Sequence, residues 1–177
     1  MSRPSALLFS LLFLLVAPGA VAGLGPWWIT GWSAHEGPLV VRLAGVAVMA
    51  GALYLLVECF GRFALQGQGT PAPIAPPERL VVSGPYRRVR NPMYVAVVAL
   101  ILGQSALLED LRLVGYAAAV WLAFHLFVLL YEEPTLRRAF PQDYAAYTAA
   151  VPRWRPRIRP WRVDKPRSSP APPRSSA

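Results

Sequence analysis

The chain has 177 residues, 55% hydrophobic and 15% charged, with 18 basic against 9 acidic side chains and a formal net charge of +9. That apolar surplus is a membrane composition, and because 8 of the basic residues lie at or beyond Arg153, the charge describes a tail and loops and argues against a nucleic-acid-binding face. The single cysteine, Cys59, excludes an intramolecular disulfide and a cysteine-based zinc cage.

Four apolar segments follow in chain order, at about 7–22, 39–60, 93–108 and 111–131, where roughly 20 residues span the hydrocarbon of a bilayer. The expectation is an all-α polytopic membrane protein with about four transmembrane helices and a cytoplasmic amphipathic C-terminal helix. The first segment also fits a secretory signal peptide, since Arg3 precedes a leucine-rich core and Ala20-Val21-Ala22 offers small residues for cleavage. Loop charge sets the orientation. Arg3 precedes the first segment; Arg62, Arg79, Arg87, Arg88 and Arg90 follow the second; Arg137 and Arg138 follow the fourth. The alternate loops hold only Arg112 beside Glu109 and Asp110, so the positive-inside rule places both termini, the middle loop and any site there in the cytoplasm. Trp27, Trp28 and Trp32 then fall at the outer interface, Arg42 near it, and His35 and Glu36 in the outer loop.

Glu58 and Arg62, four apart, are positioned to pair on the second helix. The stretch from Gln66 to Arg90 carries Gly67, Gly69, Pro71, Pro73, Pro76 and Pro77, which favour an extended path, while Leu80-Val81-Val82 is apolar enough to tuck that loop under the helices. Asn91-Pro92 reads as a helix start, Asn capping free amides and Pro tolerating the first helical position. Arg90, Asn91 and Tyr94 then converge at the positive end of the third helix, where an anion is favoured. Gly84-Pro85-Tyr86 adds a turn and a second aromatic.

Glu132-Glu133-Pro134 reads as the end of the fourth helix, where carboxylates oppose the helix dipole. Arg137 or Arg138 one turn on, or a cationic or polyhydroxylated ligand, offsets that cost. Beyond it, Pro141 starts a helix in which Phe140, Tyr144, Tyr147 and Val151 recur on one face against the membrane surface. From Pro160 the Pro/Ser/Arg/Ala composition is that of a disordered tail, giving one membrane domain over 1–159 with core motifs in 79–157 and a tail over 160–177 that meets anionic headgroups. Oligomeric state is left open.

At these residues the chain resembles the isoprenylcysteine carboxyl methyltransferase and phospholipid methyltransferase superfamily of integral membrane enzymes. Arg90-Asn91-Pro92-Met93-Tyr94 with Glu132-Glu133 is similar to that family's Arg-His-Pro-x-Tyr segment and downstream Glu pair. Gly84-Pro85-Tyr86, Tyr144, Tyr147 and Val151-Pro152-Arg153-Trp154 also follow its pattern. Asn91 stands where eukaryotic members have His, which removes a titratable group. The resemblance implies S-adenosylmethionine as cofactor, held by Gly84, Tyr86, Arg90, Asn91, Tyr94, Glu132, Glu133 and Tyr144, and methyl transfer to a lipophilic acceptor, with Arg90, Glu132 and Arg153 at the reaction and no metal. Arg153 orients a carboxylate acceptor; Glu132 or His125 takes the proton from an amine or thiol. His125 reads more readily as a hydrogen-bonded histidine packed between helices. The rival class is a non-enzymatic membrane scaffold or channel subunit whose basic tail recruits lipid or an acidic partner.

Overall fold

The computed structural model describes residues 16–66 and 80–162, and every regular element among them is helical. We label α1 residues 16–30, α2 Leu39–Gln66, α3 Pro92–Leu108, α4 Arg112–Ala139 and α5 Pro141–Ala150. The 3-10 turn Gly84–Arg87 lies before α3.

Two of these helices are long and apolar enough to cross a bilayer, α2 over Leu39–Arg62 and α4 over Arg112–Ala139, and only 17% of the most apolar window of each is buried. A helix inside a soluble core buries most of its surface; here Leu39, Val40, Leu43, Val57, Leu122 and Leu130 stand exposed and need lipid around them. Helix α3, at 17 residues, reaches about 25 Å, short of the ~30 Å hydrocarbon thickness. The first expected span lies partly outside the described residues, so the structure supports two full-length spans where the sequence led us to expect four.

The described part of α1 includes a π segment, Ala20–Leu24. Gln104 Nε2 donates to the Ala22 carbonyl at 2.7 Å and Tyr116 Oη to the Val21 carbonyl at 2.9 Å, so α3 and α4 each tether α1 through a carbonyl of this wider turn. The Ala20-Val21-Ala22 stretch is thus helical and packed, not extended. Trp27, Trp28 and Trp32 are exposed beyond it.

Helices α2 and α3 run antiparallel around a core of Leu56, Phe60, Ala96, Val97 and Ile101, which Leu113 and Ala117 of α4 complete. Two glycines, Gly45 and Gly103, bring their backbones close together. A Cβ on Gly45 would lie 2.6 Å from the Gly103 carbonyl, and one on Gly103 would lie 2.9 Å from the Gly45 carbonyl. In lipid, where no hydrophobic force drives helices together, such backbone contact is a main source of packing energy. Gly103→Leu is therefore expected to push the pair apart, at a cost of about 1–3 kcal/mol, visible as a lower thermal midpoint for the purified protein.

Pro134 does not end α4. Residues Val128–Glu132 form a π segment in which the Glu133 amide reaches back to the Val128 carbonyl, and the helix resumes over Glu133–Ala139. The wider turn adjusts the ladder one residue ahead of the missing Pro134 donor. The expectation that the acidic pair meets a helix C-terminus is therefore corrected: Arg137 and Arg138 occupy that end, where cations are favoured.

The face of α5 is also corrected. Tyr144, Tyr147 and Val151 are buried, and Leu80, Val82, Leu136, Phe140 and Trp161 pack against them, so the chain itself covers the stripe assigned to the membrane surface. Leu80-Val81-Val82 does tuck under the helices, Val81 joining Cys59 and Tyr86 in a buried cluster. Residues 151–161 then run back along 87–90 in antiparallel sense: Arg90 N–H donates to the Pro152 carbonyl (2.9 Å), Arg157 N–H to the Arg88 carbonyl (2.9 Å) and Trp161 N–H to the Arg87 carbonyl (2.8 Å). Arg87 Nε returns a bond to the Trp161 carbonyl. Trp161 thus continues the packed segment past the boundary expected at Pro160; residues 163–177 of the expected tail, like 67–79 of the middle loop, lie outside the described residues.

Candidate functional site

Gly84 opens the approach to the site. Its φ of +54° suits glycine, and a Cβ there would collide with the Arg62 guanidinium. That guanidinium is held by Glu58, Arg62 Nε donating to Oε1 at 2.7 Å, which is the pairing their spacing implied. The turn buries Tyr86 beside Cys59 and Val81, and Tyr147 Oη donates to the Tyr86 carbonyl at 2.7 Å. Burial pushes the Tyr86 hydroxyl well above its ordinary value. Gly84 and Tyr86 therefore shape the turn that delivers Arg90.

Arg90, Glu133 and Arg153 meet from three parts of the chain. Arg90 Nη1 donates to Glu133 Oε1 at 2.9 Å. Arg153 forks onto the same carboxylate, Nε to Oε1 at 2.6 Å and Nη2 to Oε2 at 3.0 Å. Two parallel bonds of this kind are the strong form of ion pair. Arg137, the offset expected one helical turn on, stands 3.7 Å away with an exposed side chain, where a pair contributes little. Glu133 is only 5% exposed; a carboxylate so buried persists because two guanidiniums face it. Its presence in turn holds the Arg153 guanidinium above its ordinary value.

Asn91 departs from expectation. No side chain caps the first turn of α3; Asn91 Nδ2 instead donates to the Arg153 carbonyl at 3.2 Å, fastening the C-terminal segment to the helix start. The α3 N-terminus is left to attract an anion through its amides, and Arg90 Nε is a buried donor with no hydrogen-bond partner. One turn into α3, Tyr94 Oη donates to Glu132 Oε2 at 2.9 Å. The π turn thus presents the two adjacent carboxylates to different partners, Glu132 to Tyr94 and Glu133 to the arginines.

Tyr144 lies at the edge of this cluster. Its burial raises its hydroxyl above the ordinary phenol value, and Glu133 adds to that while Arg90 opposes it. The ring is 3% exposed and packs on Tyr147 at 6.3 Å between centroids. The direct Arg90–Glu133 pairing is the main geometric revision, because separate anionic and cationic poles had been expected.

Sequence reasoning missed one further contact: Trp154 Nε1 donates to His125 Nδ1 at 3.0 Å. Trp154 was visible only as part of a motif and His125 only as a polar residue one face along from Glu132. Neither position signals the pairing, which joins residues 29 apart.

Residues 40–143 match the phospholipid methyltransferase family. This stretch is more than half the chain and includes α2, α3 and both halves of the Arg90–Glu133 pair. The chain belongs to the phospholipid methyltransferase family. Family membership points to membrane methyl transfer with S-adenosylmethionine as the family's donor. The match starts earlier than the motif resemblance over 79–157 and ends before Arg153 and Trp154, so the C-terminal clamp lies beyond the matched region. The chain is also 35% identical over 79 residues to the cobalt-zinc-cadmium resistance protein CzcN of Cupriavidus metallidurans, which covers 45% of this chain and 36% of that protein. The chain thus spans about a third of the curated relative it matches.

Tyr94→Phe is expected to leave the phospholipid methyltransferase fold intact while freeing Glu132 to rotate, because one hydroxyl bond to a charged group is worth about 1.5–3 kcal/mol. The thermal midpoint of the purified protein should fall by a few degrees as that bond is lost.

Proposed function

We propose that this chain transfers a methyl group from S-adenosylmethionine to a lipophilic acceptor that enters from the bilayer between α3 and α4. The observation carrying this reading is the buried, unpartnered Arg90 Nε beside the uncapped start of α3, with Glu132 a short distance along the same wall.

The donor set suits the cofactor's chemistry. Its carboxylate matches Arg90 Nε and the free first-turn amides, and its ammonium or ribose hydroxyls match the Glu132 oxygen that Tyr94 leaves open. When bound, S-adenosylmethionine supplies an electrophilic methyl on a sulfonium. Arg90 and Asn91 hold the cofactor's polar end, and Glu133 fixes both arginines. Gly84 and Tyr86 set the turn and Tyr144 its floor. Arg153 spends Nε and Nη2 on Glu133 and orients the acceptor through Nη1. Alignment of the reacting atoms in a partly dry site is the main catalytic contribution here.

In this reading both termini and the site face the cytoplasm, consistent with the arginines at Arg62, Arg87, Arg88, Arg137 and Arg138. The basic tail engages anionic headgroups, each charge contributing about 1 kcal/mol. Protein reconstituted in nanodiscs is expected to bind S-adenosylmethionine and its demethylated product in a calorimeter, and to label a lipid fraction when given radiolabelled methyl donor. Binding of neither ligand would remove the reading.

A further inference from the structure

Above the Arg90–Glu133 cluster, α3, α4 and the C-terminal segment bring five rings together. Tyr94 packs on Phe124 at 4.6 Å and Trp154 at 6.5 Å between centroids. His125 is stacked on Trp121 at 5.1 Å, and both contact Trp154, at 5.9 and 6.1 Å. Tyr94 Oη also bonds Glu132, so the ring cluster is continuous with the site. His125 precedes Glu132 by seven residues, about 10 Å along the helix toward the bilayer centre. Trp121 is 41% exposed there, and His125 and Trp154 are half-buried, so this wall is partly open, and in the proposed membrane orientation it opens toward lipid.

The bond from Trp154 to His125 fixes a proton. An indole N–H only donates, so His125 Nδ1 must accept, and a neutral imidazole then carries its hydrogen on Nε2. In that tautomer the outward nitrogen of His125 is a donor and has no lone pair with which to take a proton.

We propose that His125, locked as the Nε2–H tautomer by Trp154, donates a hydrogen bond to an anionic oxygen of the lipid acceptor. This rests on the methyl-transfer reading and narrows it. A carboxylate needs no base: the C–O bond forms as the C–S bond breaks, its electron pair stays on sulfur as the sulfonium becomes a neutral thioether, and no proton moves. The arginine following the Pro152 anchor, Arg153, adds positive charge beside Trp154. An acceptor amine or thiol, by contrast, requires proton removal that this His125 does not perform and that would fall to Glu132 alone.

Three measurements on the full chain in nanodiscs test the proposal. With ¹⁵N-labelled histidine and His35→Gln to remove the other imidazole, His125 is expected to show a bare Nδ1 and a protonated Nε2; the reverse overturns the lock. Titrating oleate should shift the His125 Nε2 and Trp154 Nε1 signals while oleylamine does not; equal effects, or none, overturn the role toward an anionic oxygen. His125→Asn offers Trp154 an acceptor through Oδ1, but its Nδ2–H donors fall short of the Nε2 position, so it should weaken the oleate effect about tenfold, with the longer His125→Gln restoring part of it; an unchanged oleate effect in His125→Asn overturns the proposal. Calorimetry with the demethylated cofactor on the same samples separates the two readings, since its failure to bind counts against methyl transfer and leaves the tautomer and oleate results standing by themselves.

Discussion

Glu133→Gln is expected to cause the largest loss of any single substitution in this chain. The amide keeps the shape but removes the negative charge that two guanidiniums share, leaving Arg90, whose side chain is 12% exposed, facing Arg153 across an unneutralised gap. Breaking a buried pair on one side costs about 3–5 kcal/mol. Two readouts follow. The thermal midpoint should fall, because the clamp between α3, α4 and the C-terminal segment is loosened, and affinity for the demethylated cofactor should drop by at least about a hundredfold at ~1.4 kcal/mol per decade. A variant that binds and melts as the parent does would take Glu133 out of both the clamp and the site.

Arg153→Ala is the second large effect, and it acts through position as much as charge. Arg153 holds Glu133 through two bonds, and its carbonyl receives Asn91. Removing the side chain spares the backbone bond but leaves Glu133 with Arg90 as its close partner. A loss of about 2–3 kcal/mol is expected, at the upper end for a hydrogen bond to a charged group. Arg153→Lys should recover only part of it, because an ammonium cannot reproduce the planar fork. The double variant with Glu133→Gln should cost clearly less than the sum of the singles, since both remove the same interaction. Strict additivity of the thermal and calorimetric losses would show that the two residues act separately.

Much of the fold and part of the site were legible from the chain. The apolar lengths of α2 and α4 gave two spans, because a bilayer imposes a minimum run of apolar residues on any helix that crosses it. Helix starts at Pro92 and Pro141 followed from proline's fixed φ and missing donor, and the structure places Pro in the first turn of both α3 and α5. The same logic failed at Pro134, where a π turn let the helix pass. Propensity sees the missing donor but not the neighbouring widening that accommodates it. Asn91 failed for a related reason: the local cap and the distant Arg153 carbonyl are competing partners, and spacing reveals only the local one.

Composition and periodicity alone determined that the described chain is helical, apolar toward its surroundings and basic on its loops, since each of these is a property of single segments. The convergence of Arg90, Glu133 and Arg153 on one buried carboxylate, the bond from Trp154 to His125 and the covering of the α5 stripe by Leu80, Val82 and Trp161 were decided by tertiary structure. They join segments from 14 to more than 60 residues apart, and a contact of that range depends on how the helices pack, which no local pattern encodes.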